Sequence, residues 1–592
     1  MSPNRPASAS HQQHGVTRSA TSSSSTEINN DKADVSQSGD SQTPLPPPTF
    51  WPSPSTTPPR EEEDRYNNDA SRRIAPTILD SILKVHCTHN EPDCIMPWQR
   101  QHPTTSTSSG FVISLLPPPQ QDPSKNNDTS LLRIMTNAHS VEYGSLVQVQ
   151  RRGDDRKYTA QVETLANACD LAILRVDDEV FWETLQPLPF GTALPVLQDT
   201  VHVVGYPTGG DALSVTQGVV SRVEQLEYTQ GCTRQLAIQI DAAINAGNSG
   251  GPVMMMGQRQ NSEGSSNGGS ERCVVGVAFQ GLEGAENIGY VVPLTVVQHV
   301  LHDIQRNGKY TGFCSLGIQT SLLENKAFRK SLRLPEGQSG IMVHRIPESS
   351  SCHGVLQPND VIAEIDGIPV ANDGKVPFRP GERVSLSCYI QTKFVGDTVA
   401  LTLWRDGSQI EQTVSMDVTH KIVPTHWGGT DRPPPYVIVA GLVFTALSIP
   451  YLQASNAWES YCSDAISYLL GKWQEPRLRP GDQIVVLAQV LVHPENLGYE
   501  HGADLHLLRV NGQDVRSLRQ LQELLLQDDQ HQQDPFVRFE FAEAGGHDVM
   551  VLDRTAIQQA TAEICDEHGI QKPYFFPEDT NDDEEEEFDH DV

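Results

Sequence analysis

From about Ala75 onward, apolar positions come in short runs separated by clusters of Gly, Pro, Asn and Asp. Ile78–Val85, Ser108–Ile113, Leu132–Thr136, Leu171–Val176, Val201–Tyr206, Gln235–Ile240, Cys273–Phe279 and Ile288–Pro293 either alternate or run continuously apolar. Runs of that length bounded by turn residues predict strands, so the chain reads as mainly β. Helical spacing predicts helices over Val296–Ile304 and Leu518–Leu526. The longest apolar run, Tyr436–Leu452, sits at the lower edge of the about 17–25 residues of a membrane helix. Its β-branched start and Pro450 predict strands instead, and no membrane span is expected.

The pattern fades at both ends. Residues 1–74 are rich in Ser, Pro, Gln and Asn, and residues 571–592 are strongly acidic. Neither buries enough apolar surface to offset its ordering entropy, so both are expected to be disordered tails. Two further stretches, Pro117–Asp128 and Gly257–Glu271, have the composition of exposed loop insertions.

Composition narrows the picture. The 592 residues allow several domains, and a formal charge of −32 argues against nonspecific binding to nucleic acid or anionic membrane. Ten cysteines without a repeated spacing and no secretory-type apolar run place the chain in a reducing, intracellular compartment. Nucleus or cytosol is favoured. The first 26 residues, with arginines and serines but no acids, leave chloroplast or mitochondrion as the alternative. His86, Cys87, His89 and Cys94 form a short cluster, but His86 and Cys87 would point to opposite faces of a strand. No metal and no cofactor is expected.

Three motifs carry candidate chemistry. Gly247-Asn248-Ser249-Gly250-Gly251-Pro252 surrounds a serine with glycines that permit backbone angles closed to other residues, so N–H groups can converge beside the hydroxyl. Leu132–Thr136 is an apolar strand that leads to His139, and Asp170 leads into the apolar run Leu171–Val176. Any one of these is ambiguous. Together, and in this order, they resemble the chymotrypsin-like serine proteases, and the Asn before the serine resembles the Deg/HtrA branch. The resemblance implies a double β-barrel and a catalytic triad of His139, Asp170 and Ser249. It implies an oxyanion hole from Gly247, Asn248 and Ser249. No carboxylate occurs from Ala242 to Ser249, so a small apolar specificity pocket lined by Ile244, Ala278 and Ile288 is expected.

Downstream, Leu356–Val370 and its Asn-Asp-Val-Ile and Asp-Gly pairs resemble a circularly permuted PDZ domain, with Leu316, Gly317 and Ile318 as the implied carboxylate-binding loop. Gly441–Phe444, Gly481–Leu487 and Leu508–Val515 resemble a second. The expected organisation is a tail (1–74), a chymotrypsin-like protease domain (75–308), a PDZ domain (309–422), a PDZ-like domain (423–570) and an acidic tail (571–592). The expected function is an ATP-independent serine endopeptidase of the Deg/HtrA type. It would act on unfolded or damaged proteins, bind peptide C-termini through its PDZ domains and form homotrimers or multiples of trimers. The competing reading is a non-proteolytic PDZ scaffold or chaperone on a protease fold; none of the three catalytic residues is lost.

Overall fold

The computed structural model describes residues 74–115, 131–228, 231–257, 271–281, 288–426, 433–455, 457, 463–473, 475–531, 534–542 and 549–577. Nearly all of the expected N-terminal tail, residues 578–592 of the expected acidic tail, and most of both insertions lie outside these residues. A contact boundary divides the chain after Ser71, and the fold described belongs to the unit Arg72–Val592.

The first twelve strands close into two barrels. The first contains β1 (Ile82–His89), β2 (Thr104–Ser114), β3 (Leu132–Thr136), β4 (Gly144–Gln150), β5 (Lys157–Ala166) and β6 (Leu171–Arg175), in the order β1-β2-β3-β6-β5-β4. The second contains β7 (Thr200–Gly205), β8 (Ser214–Tyr228), β9 (Thr233–Ile240), β10 (Pro252–Gly257), β11 (Glu271–Gly281) and β12 (Gly289–Pro293), in the order β10-β11-β12-β9-β8-β7.

The continuous apolar runs of the first barrel have a simple cause. Successive side chains point to opposite faces, and here both faces are buried. Leu83, Val112, Ile134, Ala172 and Leu174 fill the first barrel. Their neighbours Ile82, Phe111, Ile113, Met135, Leu171 and Ile173 pack outward into a shared core with Val204, Tyr206, Tyr228 and Met254 of the second barrel. Each such side chain contributes about 1.5–3 kcal/mol when fully buried. The two barrels are therefore held face to face. The helix Leu294–Asn307, ended by Gly308 in the left-handed conformation, adds Val297, Val300 and Leu301 to the same core.

Beyond that helix lies a sheet in the order β13-β14-β15-β19-β20, from β13 (Gln319–Leu322), β14 (Ile341–Arg345), β15 (Val361–Ile365), β19 (Thr398–Arg405) and β20 (Ser408–Ser415). β16 (Ile368–Pro369) pairs with β15, and β17 (Lys375–Arg379) with β18 (Glu382–Ser385) forms a hairpin. The second sheet runs β27-β26-β24-β23-β22-β21-β28. Its members are β21 (Tyr436–Val439), β22 (Leu442–Ala446), β23 (Val485–Val490), β24 (Leu505–Val510), β26 (Phe536–Phe541), β27 (Val549–Asp553) and β28 (Tyr574–Phe575), with β25 (Gln513–Asp514) beside β24. The run Tyr436–Leu452 is thus two strands and the start of a six-residue helix, Ile449–Ala454, with Pro450 in its first turn. Among the described residues no helix is long and apolar enough to cross a membrane. The sheet continues past the expected boundary at residue 570: β28 pairs with β21, and Phe576 enters the core.

The two sheets attach to different barrels. The first leans on the helix Leu294–Asn307 through Arg306–Asp397 (2.7 Å) and on the second barrel through Gln391 Nε2 donating to the Arg234 carbonyl (2.9 Å). The second reaches the loop between β1 and β2: Trp98 meets Tyr436 edge-on at 6.0 Å, and Gln489 Nε2 donates to the Ile95 carbonyl at 2.9 Å.

Candidate active site

Asp170 sits at the end of a single 3-10 turn, Asn167–Cys169, with φ 53°. That left-handed turn aims a carboxylate only 2% exposed back at the residues following β3. Asn137 Nδ2 donates to the Asp170 carbonyl (2.7 Å) and fixes the turn. The carboxylate accepts twice from one residue: His139 N–H at 3.0 Å and His139 Nδ1 at 2.7 Å. A carboxylate can only accept, so Nδ1 carries the proton and Nε2 is left as a base. Burial alone would lower the His139 pKa, but the Asp170 charge and hydrogen bond, with Glu142 adding its charge, hold it above the usual histidine value.

Ser249 arrives from the other barrel, on the turn between β9 and β10. Gly247 has φ 94°, and a Cβ there would lie 2.4 Å from the Tyr206 carbonyl oxygen, so only glycine fits. The carbonyls of the turn are all held. Ala246 C=O accepts from Thr208 N–H (2.7 Å), and Asn248 C=O accepts from Gly251 N–H (3.0 Å). Gly247 C=O accepts from the buried Ser109 hydroxyl (2.7 Å). In a trans peptide the N–H points opposite to the C=O. The Gly247 and Ser249 N–H groups therefore face away from these anchors, and neither meets a protein acceptor among the described residues. Asn248 N–H instead donates to Asn245 C=O at 3.0 Å, so Asn248 shapes the turn rather than contributing an N–H to the hole.

His139, Gly247 and Ser249 line one cleft of about 700 Å³ between the barrels, together with Thr107, Ser108 and Lys157. Not every expected contact is made. The Ser249 hydroxyl donates to the Phe279 carbonyl at 3.4 Å, a long bond, and not to His139. Such bonds are often loose without substrate.

The three expected pocket residues take different positions. Ile244 is half-buried, with its side chain so close to Gly289 that a Cβ on that glycine would lie 2.6 Å from it. Ala278 is fully buried and braces the serine turn through its backbone, accepting from Gly250 N–H (2.8 Å) and donating to Gly251 C=O (2.9 Å). Ile288 is half-buried just before β12. At the implied peptide-binding loop, Leu316 is buried and its carbonyl accepts from Ser350 Oγ (2.9 Å). Gly317 N–H already donates to Ser315 Oγ (3.1 Å), so it is not free to hold a ligand carboxylate. Ile318 is half-buried beside β13, whose outer edge has no strand partner among the described residues. In the second sheet the strand after Gly441, β22, is paired on both edges, with β21 and β23.

The cluster near β1 does not converge. His86 turns to Gln150 (3.1 Å), Cys87 lies 3.6 Å from His89 Nδ1, and Cys94 packs in a separate apolar cluster. Burial pushes the thiols of Cys87 and Cys94 up to about 12. Ser109, Thr208 and Phe279 were not singled out from sequence. Ser109 had a signal, a serine within the apolar run Ser108–Ile113; the other two act through their backbones and leave none.

Residues 109–258 match the trypsin-like peptidase domain and residues 423–574 the PDZ domain. The chain is 42% identical over 499 residues to protease Do-like 2, chloroplastic, of Arabidopsis thaliana, an alignment covering 83% of this chain and 74% of that protein. It is 36% identical to putative protease Do-like 3, mitochondrial, of the same plant, over 78% of this chain and 75% of the relative. An HtrA-type protease solved with a decapeptide covers 60% of this chain and 98% of its own, at 21% identity and a TM-score of 0.41. The names of these plant relatives give the expected nucleus or cytosol no support.

Proposed function

The chain belongs to the Do-like family of Deg/HtrA serine endopeptidases, and we propose that His139, Asp170 and Ser249 are its catalytic triad. His139 Nε2 takes the proton of the Ser249 hydroxyl as Oγ attacks the scissile carbonyl. The developing oxyanion is held by the N–H groups of Gly247 and Ser249. His139 then gives its proton to the leaving amine, and water repeats the sequence on the acyl-enzyme. Asp170 keeps the imidazole in its Nδ1–H form and stabilises the imidazolium. A turn of the serine hydroxyl from Phe279 toward His139 on substrate binding completes the site. The reading rests above all on the double hydrogen bond between Asp170 and His139 in the cleft that Ser249 also lines.

The substrates we propose are unfolded or damaged proteins, cut without ATP after small aliphatic residues. The free edge of β13 takes a peptide strand in the first PDZ-like domain. The expected homotrimer is kept as part of this reading, to be checked by light scattering. The names of the relatives favour a chloroplast or mitochondrion, which an import assay would decide. The first experiment is β-casein cleavage without ATP or metal. Wild type should cleave and Ser249→Ala should not, a loss of at least about 10⁴-fold. Cleavage by the variant would remove Ser249 as nucleophile.

A further inference from the structure

Lys84 is the only lysine buried among the described residues, at 7% exposure. It stands on β1 two residues after Ile82, so its side chain leaves the strand on the face turned to the second barrel. There it donates to the Gly210 carbonyl (3.2 Å) and pairs with Asp211 Oδ1 (2.6 Å), whose side chain is 96% exposed. The same strand holds the beginning of that segment, since Tyr206 Oη donates to the Ile82 carbonyl at 3.2 Å. β1 therefore grips the segment Tyr206–Asp211 at both ends.

The middle of the segment touches the serine turn. Thr208 N–H is the donor that holds the Ala246 carbonyl (2.7 Å), and that bond sets the direction of the Gly247 N–H. We propose that Lys84 is a positioning residue for the oxyanion hole: its ammonium fixes Gly210 and Asp211, these hold Thr208 in place, and Thr208 keeps the Gly247 N–H turned into the cleft. Without the clamp the Ala246–Gly247 peptide can rotate, placing a carbonyl where a donor is needed. A buried ammonium is costly unless its partners are fixed, which couples the order of the segment to the order of the lysine.

The proposal rests on Gly247 as an oxyanion donor and is tested in the full chain. Lys84→Met should fold, because the carboxylate it leaves behind is already in water. Its kcat on a peptide substrate should fall at least about 10-fold, toward the 10²–10³-fold of losing one oxyanion donor, with KM little changed. Lys84→Arg should recover part of the loss. Asp211→Asn, at an exposed position, should lower kcat in the same direction by less. The decisive readout is inhibitor affinity. A peptidyl aldehyde, whose hemiacetal uses the hole, should weaken in parallel with kcat, while the matching non-covalent peptide amide binds as before. Unchanged kcat in Lys84→Met, or equal weakening of both inhibitors, would overturn the clamp. Activity in Ser249→Ala would instead overturn the triad.

Discussion

In the first barrel the pair His139 and Asp170 is held by side chains, and in the second Ser249 is held by its backbone. Asp170 takes two bonds from His139 and is itself fixed through Asn137, all within one sheet and its adjoining turns. The turn bearing Ser249 depends on φ angles that only glycine tolerates and on carbonyls anchored elsewhere. Several of those anchors come from outside its own turn: the Ser109 hydroxyl and N–H, the Thr208 N–H and the Ala278 N–H. Side-chain pairs in a packed barrel have one geometry. A peptide unit next to a glycine, such as Ala246–Gly247, has backbone freedom that its neighbours must restrict. The acid–base half is thus built to be permanent and the nucleophile half to be set from a distance.

The contrast can be broken from either side. Asp170→Asn leaves the fold of the first barrel in place but favours the wrong tautomer of His139, and kcat should fall about 10⁴-fold with little change in KM. Ser109→Ala attacks the other half. It removes one hydroxyl that donates to Gly247 C=O and accepts from Tyr206 N–H (2.8 Å), both buried. Each group left unpaired costs about 1–3 kcal/mol, so the melting temperature should drop. If the turn is set from outside, kcat should fall about 10- to 100-fold as well, approaching the loss of an oxyanion donor. A stable, fully active Ser109→Ala would mean that the turn holds itself.

The same division explains what could be read from the chain alone. His139, Asp170 and Ser249 were legible because each lies in a short motif whose residue types the chemistry requires, and the barrels because alternating and continuous apolar runs mark half- and fully buried strands. The anchors were not. Thr208 and Ala278 contribute backbone groups, for which any residue type would serve. Lys84 looks like an ordinary solvent-facing strand position until Asp211, distant in sequence, is brought over it. The engaged N–H of Gly317 has the same origin, since a serine two residues earlier supplies the acceptor only once the loop has closed. The end of the second PDZ-like domain was misplaced because β28 is two residues long and gains its order from β21.

Specificity sharpens the contrast on the nucleophile side. Ile244 lies against Gly289, and the proposed reading makes it a wall of the specificity pocket. Ile244→Ala should open it, raising kcat/KM for Leu over Ala before the cut by about 10-fold, within the range one or a few methylenes provide. Equal gains for both substrates would mean that Ile244 acts on the turn and not on the pocket.

The smallest effect is the most diagnostic of the acid–base half. His139 works only when neutral, and its pKa stands above the ordinary histidine value, so kcat/KM should decline as pH falls through a limb displaced to higher pH. Burial opposes that displacement; Asp170 drives it and Glu142 adds to it. Glu142 pairs with His426 at 2.5 Å, while the tautomer of His139 is set by Asp170 at its Nδ1. Glu142→Gln should therefore move the acid limb to lower pH and leave the plateau kcat nearly unchanged. Added salt should shift the wild-type limb less than the substitution does, because the charges are largely shielded from solvent ions. A limb that stays in place would show that Asp170 alone sets the basicity of His139. A fallen plateau would show that Glu142 also holds the geometry, and the first barrel would then be less self-sufficient than its hydrogen bonds imply.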